Sequence, residues 1–207
     1  MLLDFVWMDS VLVQAKRTLD VCPALSVGVR QGGDTAMSNR SILAREEIDK
    51  IMQITKQCAE DGQPVEQLLL LQVASNRFLH MPLTLEGDAD AKSVHLFTIG
   101  ASLRAQGLTP SAALLLSESW FVKPLEAPAA MQFAPSKHPA RQEAIVIVGR
   151  SADNKRYSQV IQPFTRDARK RPIWQPLLLA MYDEPRTPQD GPTGILDFLF
   201  DGSSATA

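Results

Sequence analysis

His138, Arg141 and Glu143 stand within six positions of one another, directly before the apolar run Ala144-Ile145-Val146-Ile147-Val148. A histidine beside a carboxylate that can orient it, with an arginine to hold an anion, is a recurrent acid/base combination. Glu118 and Trp120, in the stretch "LLLSESW", join this group if the strands that carry them are neighbours. A hydrolase-like centre on His138 with Glu118, Arg141 and Glu143 is therefore one reading. The plainer one is structural: Pro135 and Pro139 stiffen the loop, and Arg141 anchors it to Glu118 or Glu143 at a sheet edge. The structural role is the expectation. It predicts that Arg141→Ala lowers stability and that His138→Ala changes little.

A second cluster reads "FTRDARKRPIW". From Asp153 to Arg171 there are six basic residues (Lys155, Arg156, Arg166, Arg169, Lys170, Arg171) against two acidic ones, a local charge of +4. Interleaved with Phe164 and Trp174, these cations could follow a nucleic-acid backbone while bases stack on the rings. From Asp183 to the end, five acidic residues face one basic residue, a local charge of −4. A solvated basic loop that pairs with the chain's own acidic end is the competing account.

Other chemistries find little support. His80, His95 and His138 fall in a predicted strand, a helix and a loop, with no HxH or HExxH spacing, so no metal site is expected. No GxSxG elbow surrounds Ser117 or Ser119, whose hydroxyls need bond only backbone on a strand. Cys58 falls on the apolar face of a helix, where a thiol behaves as a small hydrophobe. "GVRQGGDT" follows no convincing strand and lacks the GKS/T ending of a phosphate loop. No cofactor is expected.

The elements that must position these residues follow from periodicity. Residues 1–43 read as a leader and linker, with "SVGVRQGGDTAMSNRS" rich in glycine and serine. Protease is expected to cut there. Ile48, Ile51, Met52, Thr55 and Cys58 recur at three- and four-residue steps, which predicts a helix over about 44–61, stopped by Gly62. A hairpin is predicted at roughly 66–73 and 77–85, turning at Ala74-Ser75-Asn76. A second helix over 89–106 is expected to turn Val94, Phe97, Ala101, Leu103 and part of Ile99 inward, and to end at Gly107. Strands follow at 112–123, 142–150 and 156–164, the last two joined by the polar turn 151–155 and so antiparallel. Residues 173–182 predict a further strand that Pro172 and Pro176 push to an edge. "TGILDFLF" (193–200) is a short apolar helix or docking segment, before a tail with no element.

The order α-ββ-α-βββ(β)-α predicts an α+β fold, a meandering antiparallel sheet with helices on one face. One domain over 44–185 suits a chain of 207 residues and 22.8 kDa, with 186–207 a C-terminal appendage. Hydrophobic residues at 45% suffice for a core, and a net charge of −2 with pI near 5.9 gives no global argument for nucleic acid or anionic membrane. Two cysteines without CxxC spacing argue against a disulfide framework, and no apolar run reaches the roughly 18–20 residues of a membrane span. The expected location is the cytoplasm.

"SESW" on a strand followed by "PSKHPARQE" before a hydrophobic strand resembles a pattern in uncharacterised bacterial and phage-borne proteins. The resemblance covers about residues 76–165 and implies helix-plus-meander architecture without a known activity. The related pattern carries a second acid where this chain has Ala140, so no acid chemistry transfers to that position. The combined expectation is a small non-catalytic binding or accessory module that self-associates through a sheet edge, or takes another protein as partner. The His138-centred enzyme is the alternative, and nucleic-acid binding over 155–174 the second alternative.

Overall fold

The computed structural model describes residues 41–74, 77–87, 89–121, 139–186 and 194–200. The expected leader over 1–40, the turn at 75–76 and most of the loop before Arg141, including Pro135 and His138, lie outside the described residues. The elements in chain order are α1 (Arg45–Glu60), β1 (Gln67–Ala74), β2 (Arg77–Leu83), α2 (Ala89–Ala105), β3 (Ala112–Phe121), β4 (Gln142–Ser151), β5 (Arg156–Arg166), β6 (Pro172–Trp174) and β7 (Leu179–Pro185). A 3₁₀ turn (Gly194–Leu196) then leads into α3 (Asp197–Phe200). The strands form one antiparallel sheet in the order β2-β1-β3-β4-β5-β6, with β7 also on β5. The α+β class is as expected.

The distribution of helices is not. Leu70, Leu114, Leu116, Ile145 and Ile147 point to one face, where Ile48 and Met52 of α1 cover them. Leu69, Leu71, Ala113 and Leu115 point to the other, beneath Leu96, Ile99 and Leu103 of α2. Helices thus lie on both faces rather than one. The physical reason was present in the sequence: "LLLL" in β1 and "AALLL" in β3 are continuous apolar runs, and a strand that must be apolar at successive positions is buried on both sides. Val94 and Phe97, expected inward, are exposed at 65% and 47%. Apolar residues of α2 fall on more than one side, with Val94 and Phe97 outside the buried stripe, so its period alone did not choose a face. The inward set is Leu96, Ile99, Gly100 and Leu103, the i, i+3, i+4, i+7 pattern of one stripe.

Packing extends beyond the expected ends of the domain. Ile42 and Leu43 are buried ahead of α1. The Ile42 N–H donates to Gln72 Oε1 (3.0 Å), and Ser158 Oγ donates to the Leu43 carbonyl (2.9 Å). Leu43 packs directly over Gly149, where a Cβ would lie 2.7 Å from its Cδ2. At the other end Leu196, Leu199 and Phe200 are buried against α2. A methyl on Gly100 would overlap the Leu199 carbonyl, so the helix needs glycine where this segment crosses it. Arg150 reaches Asp197 through an ion pair and lies 4.9 Å from the Phe200 ring centre.

Candidate functional site

Strand register sets out the first cluster as a row. Trp120 stands opposite Glu143, Glu143 opposite Phe164, and Phe164 opposite Trp174, so four residues cross β3, β4, β5 and β6 on the α1 face. Glu118 lies two residues before Trp120, and Arg166 two after Phe164, on the same side by strand alternation. This is where α1 ends and stops covering the sheet. Its last turns still touch the row: Lys56 Nζ donates to Gln162 Oε1 (2.6 Å) and sits 5.2 Å from the Trp174 ring centre. The Trp174 indole N–H donates to Glu60 Oε1 (2.7 Å).

The cation at the middle of the row is Arg166. Its Nη2 binds Glu118 Oε1 at 2.6 Å and its Nε binds Glu143 Oε2 at 3.2 Å. Arg141, the anchor expected from the sequence, stacks on Trp120, 4.7 Å from the ring centre. β5 brings Arg166 to the acids from more than twenty residues away, a cation that spacing along the chain did not reveal. Partial burial pulls the Arg166 pKa down, and the hydrogen bonds and charges of Glu118 and Glu143 outweigh it, so the net shift is upward. Both carboxylates are thereby held by one guanidinium. His138 lies outside the described residues, and Pro139 is exposed at the edge of that gap. Ser117 and Ser119 hydroxyls bond each other (2.9 Å), a side-chain contact where backbone partners were expected.

The basic stretch is divided by the strand that contains it. Lys155 and Arg156 lie at one end of β5 and Arg166 at the other, roughly 30 Å apart at about 3.3 Å per residue. Arg156 pairs with Asp183 (2.9 Å) and Lys155 approaches Asp153 (3.8 Å). Arg171 pairs with Asp167 (3.1 Å), whose Oδ1 also accepts the backbone N–H groups of Arg169 and Arg171, each at 2.8 Å. These backbone bonds, first among several causes, hold the Asp167 pKa below its usual value. Lys170 closes the turn at φ 63°, and its carbonyl accepts from Arg166. Arg169 and Lys170 remain without an ion pair among the described residues. The Arg156–Asp183 pair is the expected link between the basic stretch and the acidic end.

Two features were not anticipated. His80, half-buried on β2, has a buried Nδ1 with no hydrogen-bond partner, and burial pushes its pKa down. A shallow depression of about 470 Å³ lies at the same end of the sheet, lined by Glu66, Gln67, Pro82, Leu83, Thr84, Leu85 and Glu86. It shares no lining residue with the Arg166 row. Neither carries a signature that spacing could reveal, since both depend on which strands neighbour. Among the described residues, no His/Cys/Asp/Glu group has metal-site geometry, and no helix is long and apolar enough to cross a membrane.

Comparison with protein-family models, with curated proteins and with solved structures finds no match to this chain.

Proposed function

We propose that the protein is a small non-catalytic binding module that self-associates through a sheet edge. The observation that carries this reading is β2. It is a terminal strand of the sheet, seven residues long, with no partner on its outer side among the described residues. Six of its residues, Phe78 to Leu83, are half-buried, and its only charged residue is Arg77 at the end. Soluble proteins usually blunt such edges with charges, prolines or bulges, because an open ladder recruits another strand. β2 has such features only at its ends, Arg77 beside the register irregularity of Gln72–Ala74 and Pro82 at the other, which leaves Phe78 to Met81 as open ladder. At the opposite end of the sheet β6 and β7 pair only with β5 among the described residues, but β6 is three residues long and β7 carries Asp183 and Glu184, so those edges are short or charged.

The Arg166 row supports the same reading. Glu118 and Glu143 are both engaged by Arg166, which suits an anchor that ties β3, β4 and β5 together at their ends. Sedimentation equilibrium of the full chain over a wide concentration range tests the proposal. Mass above that of one chain, rising with concentration, is the expected result. A single-chain mass at every concentration removes the support that β2 provides.

A further inference from the structure

The outer edge of β2 has a definite hydrogen-bonding pattern. In an antiparallel ladder, a residue directs both its N–H and its C=O either toward one neighbouring strand or toward the other. Gln72 directs its carbonyl to the β3 side, where it accepts from Ser111 N–H (2.7 Å). Its partner on β2 is Phe78, and the same alternation in register assigns His80 (opposite Leu70) and Pro82 (opposite Leu68) to the outward set. Pro82 agrees, because a proline is accommodated in a ladder only where its missing N–H faces away. Phe78 and His80 therefore each present a donor and an acceptor outward, while Pro82 presents only an acceptor.

We propose that two copies of the chain pair antiparallel through β2, with the twofold axis at Leu79. This rests on the self-association reading above and names its partner and register. Phe78 of each copy then stands opposite His80 of the other, and four backbone hydrogen bonds satisfy all donors and acceptors of both residues. A register centred on His80 instead sets Phe78 against Pro82, where the missing N–H leaves the Phe78 carbonyl unmet. The side chains suit the pairing too. Leu79 and Met81 flank the α2-side core, and Phe78 flanks the α1-side core, so both apolar layers continue across the axis. Arg77 falls opposite Met81 rather than opposite a second Arg77, so no like charges meet. The occupant is a second copy because, centred on Leu79, the edge is complementary to itself in backbone donors and acceptors, in both apolar layers and in the placing of Arg77.

The test uses the full chain in a Cys22→Ser, Cys58→Ser background. At the axis, a directly opposed non-hydrogen-bonded pair has Cα atoms about 4.5 Å apart, within disulfide reach. Leu79→Cys is expected to form a covalent dimer on mild oxidation, whereas His80→Cys stays largely monomeric. His80→Pro removes one outward donor without touching the β1–β2 ladder, and it is expected to shift sedimentation from dimer to monomer with unchanged circular dichroism. If His80→Pro does not fold, the two cysteine variants decide alone. Cross-linking through His80→Cys in place of Leu79→Cys, or a dimer that survives His80→Pro, overturns this pairing and leaves self-association standing. A parent protein that is monomeric at all concentrations overturns both.

Discussion

Asp197→Asn separates the charge of the C-terminal clamp from its shape. The Arg150 side chain is 5% exposed and that of Asp197 20%, so the guanidinium depends on this carboxylate for its counter-charge. Arg150 also donates to the Ser151 and Ala152 carbonyls, which keep it in place but do not neutralise it. Breaking a fully buried pair from one side costs about 3–5 kcal/mol, and the partial exposure of Asp197 reduces this to roughly 2–3 kcal/mol. The segment has little margin to absorb that loss. Burying Leu196, Leu199 and Phe200 contributes about 5–9 kcal/mol together. Ordering seven residues costs roughly 7–14 kcal/mol in backbone entropy. The two nearly cancel, so polar contacts tip the balance: the Arg150–Asp197 pair and the Arg104 bond to the Leu199 carbonyl (3.2 Å). The expected outcome is therefore local. Amide exchange measured by mass spectrometry should lose protection over 194–200 and the facing turn of α2 while β3, β4 and β5 stay protected. Gly100→Ala should give the same pattern by blocking the crossing sterically. Unchanged protection of 194–200 in Asp197→Asn, with a urea midpoint equal to the parent, would refute the reasoning.

Three more outcomes follow from particular residues. Arg166→Met should lower stability by about 1 kcal/mol, modest because its side chain is 37% exposed, and by less in high salt. A thermal midpoint equal to the parent's at low salt would count against Arg166 as an anchor. Ile147, fully buried beneath α1, should cost about 2–4 kcal/mol on truncation to alanine, and half-buried Val146 clearly less, read from urea unfolding. His80 has a folded pKa below the ordinary histidine value of 6.5. The unfolded chain therefore binds its proton first, and stability falls as pH drops below 6.5 until the folded pKa is passed. A His80→Phe protein should show a flatter pH profile through that window, and identical profiles would exclude His80 as the source.

The elements themselves were legible in the sequence because each depends on local chemistry. The three- and four-residue spacing of Ile48, Ile51, Met52 and Thr55 made α1 visible, and the structure begins it within one residue of the expected start. The β4–β5 hairpin was marked by its polar turn, where Asn154 takes φ 59°, a conformation asparagine tolerates better than most side chains. Gly62 and Gly107 ended the helices as expected. Tertiary structure decided which faces met. Four leucines in a row on β1 require burial on both sides but do not say which helix covers each, and α2 carries Val94 and Phe97 outside its Leu96–Ile99–Leu103 stripe, so its apolar residues did not single out one face. The central cation was also beyond local reasoning. Arg141 lies two residues from Glu143 in sequence, yet Arg166 binds it, because pairing of β4 with β5 sets Glu143 opposite Phe164 and brings Arg166 alongside. A strand pair joins residues by register rather than by distance along the chain, so an ion pair across strands becomes readable only once the register is known.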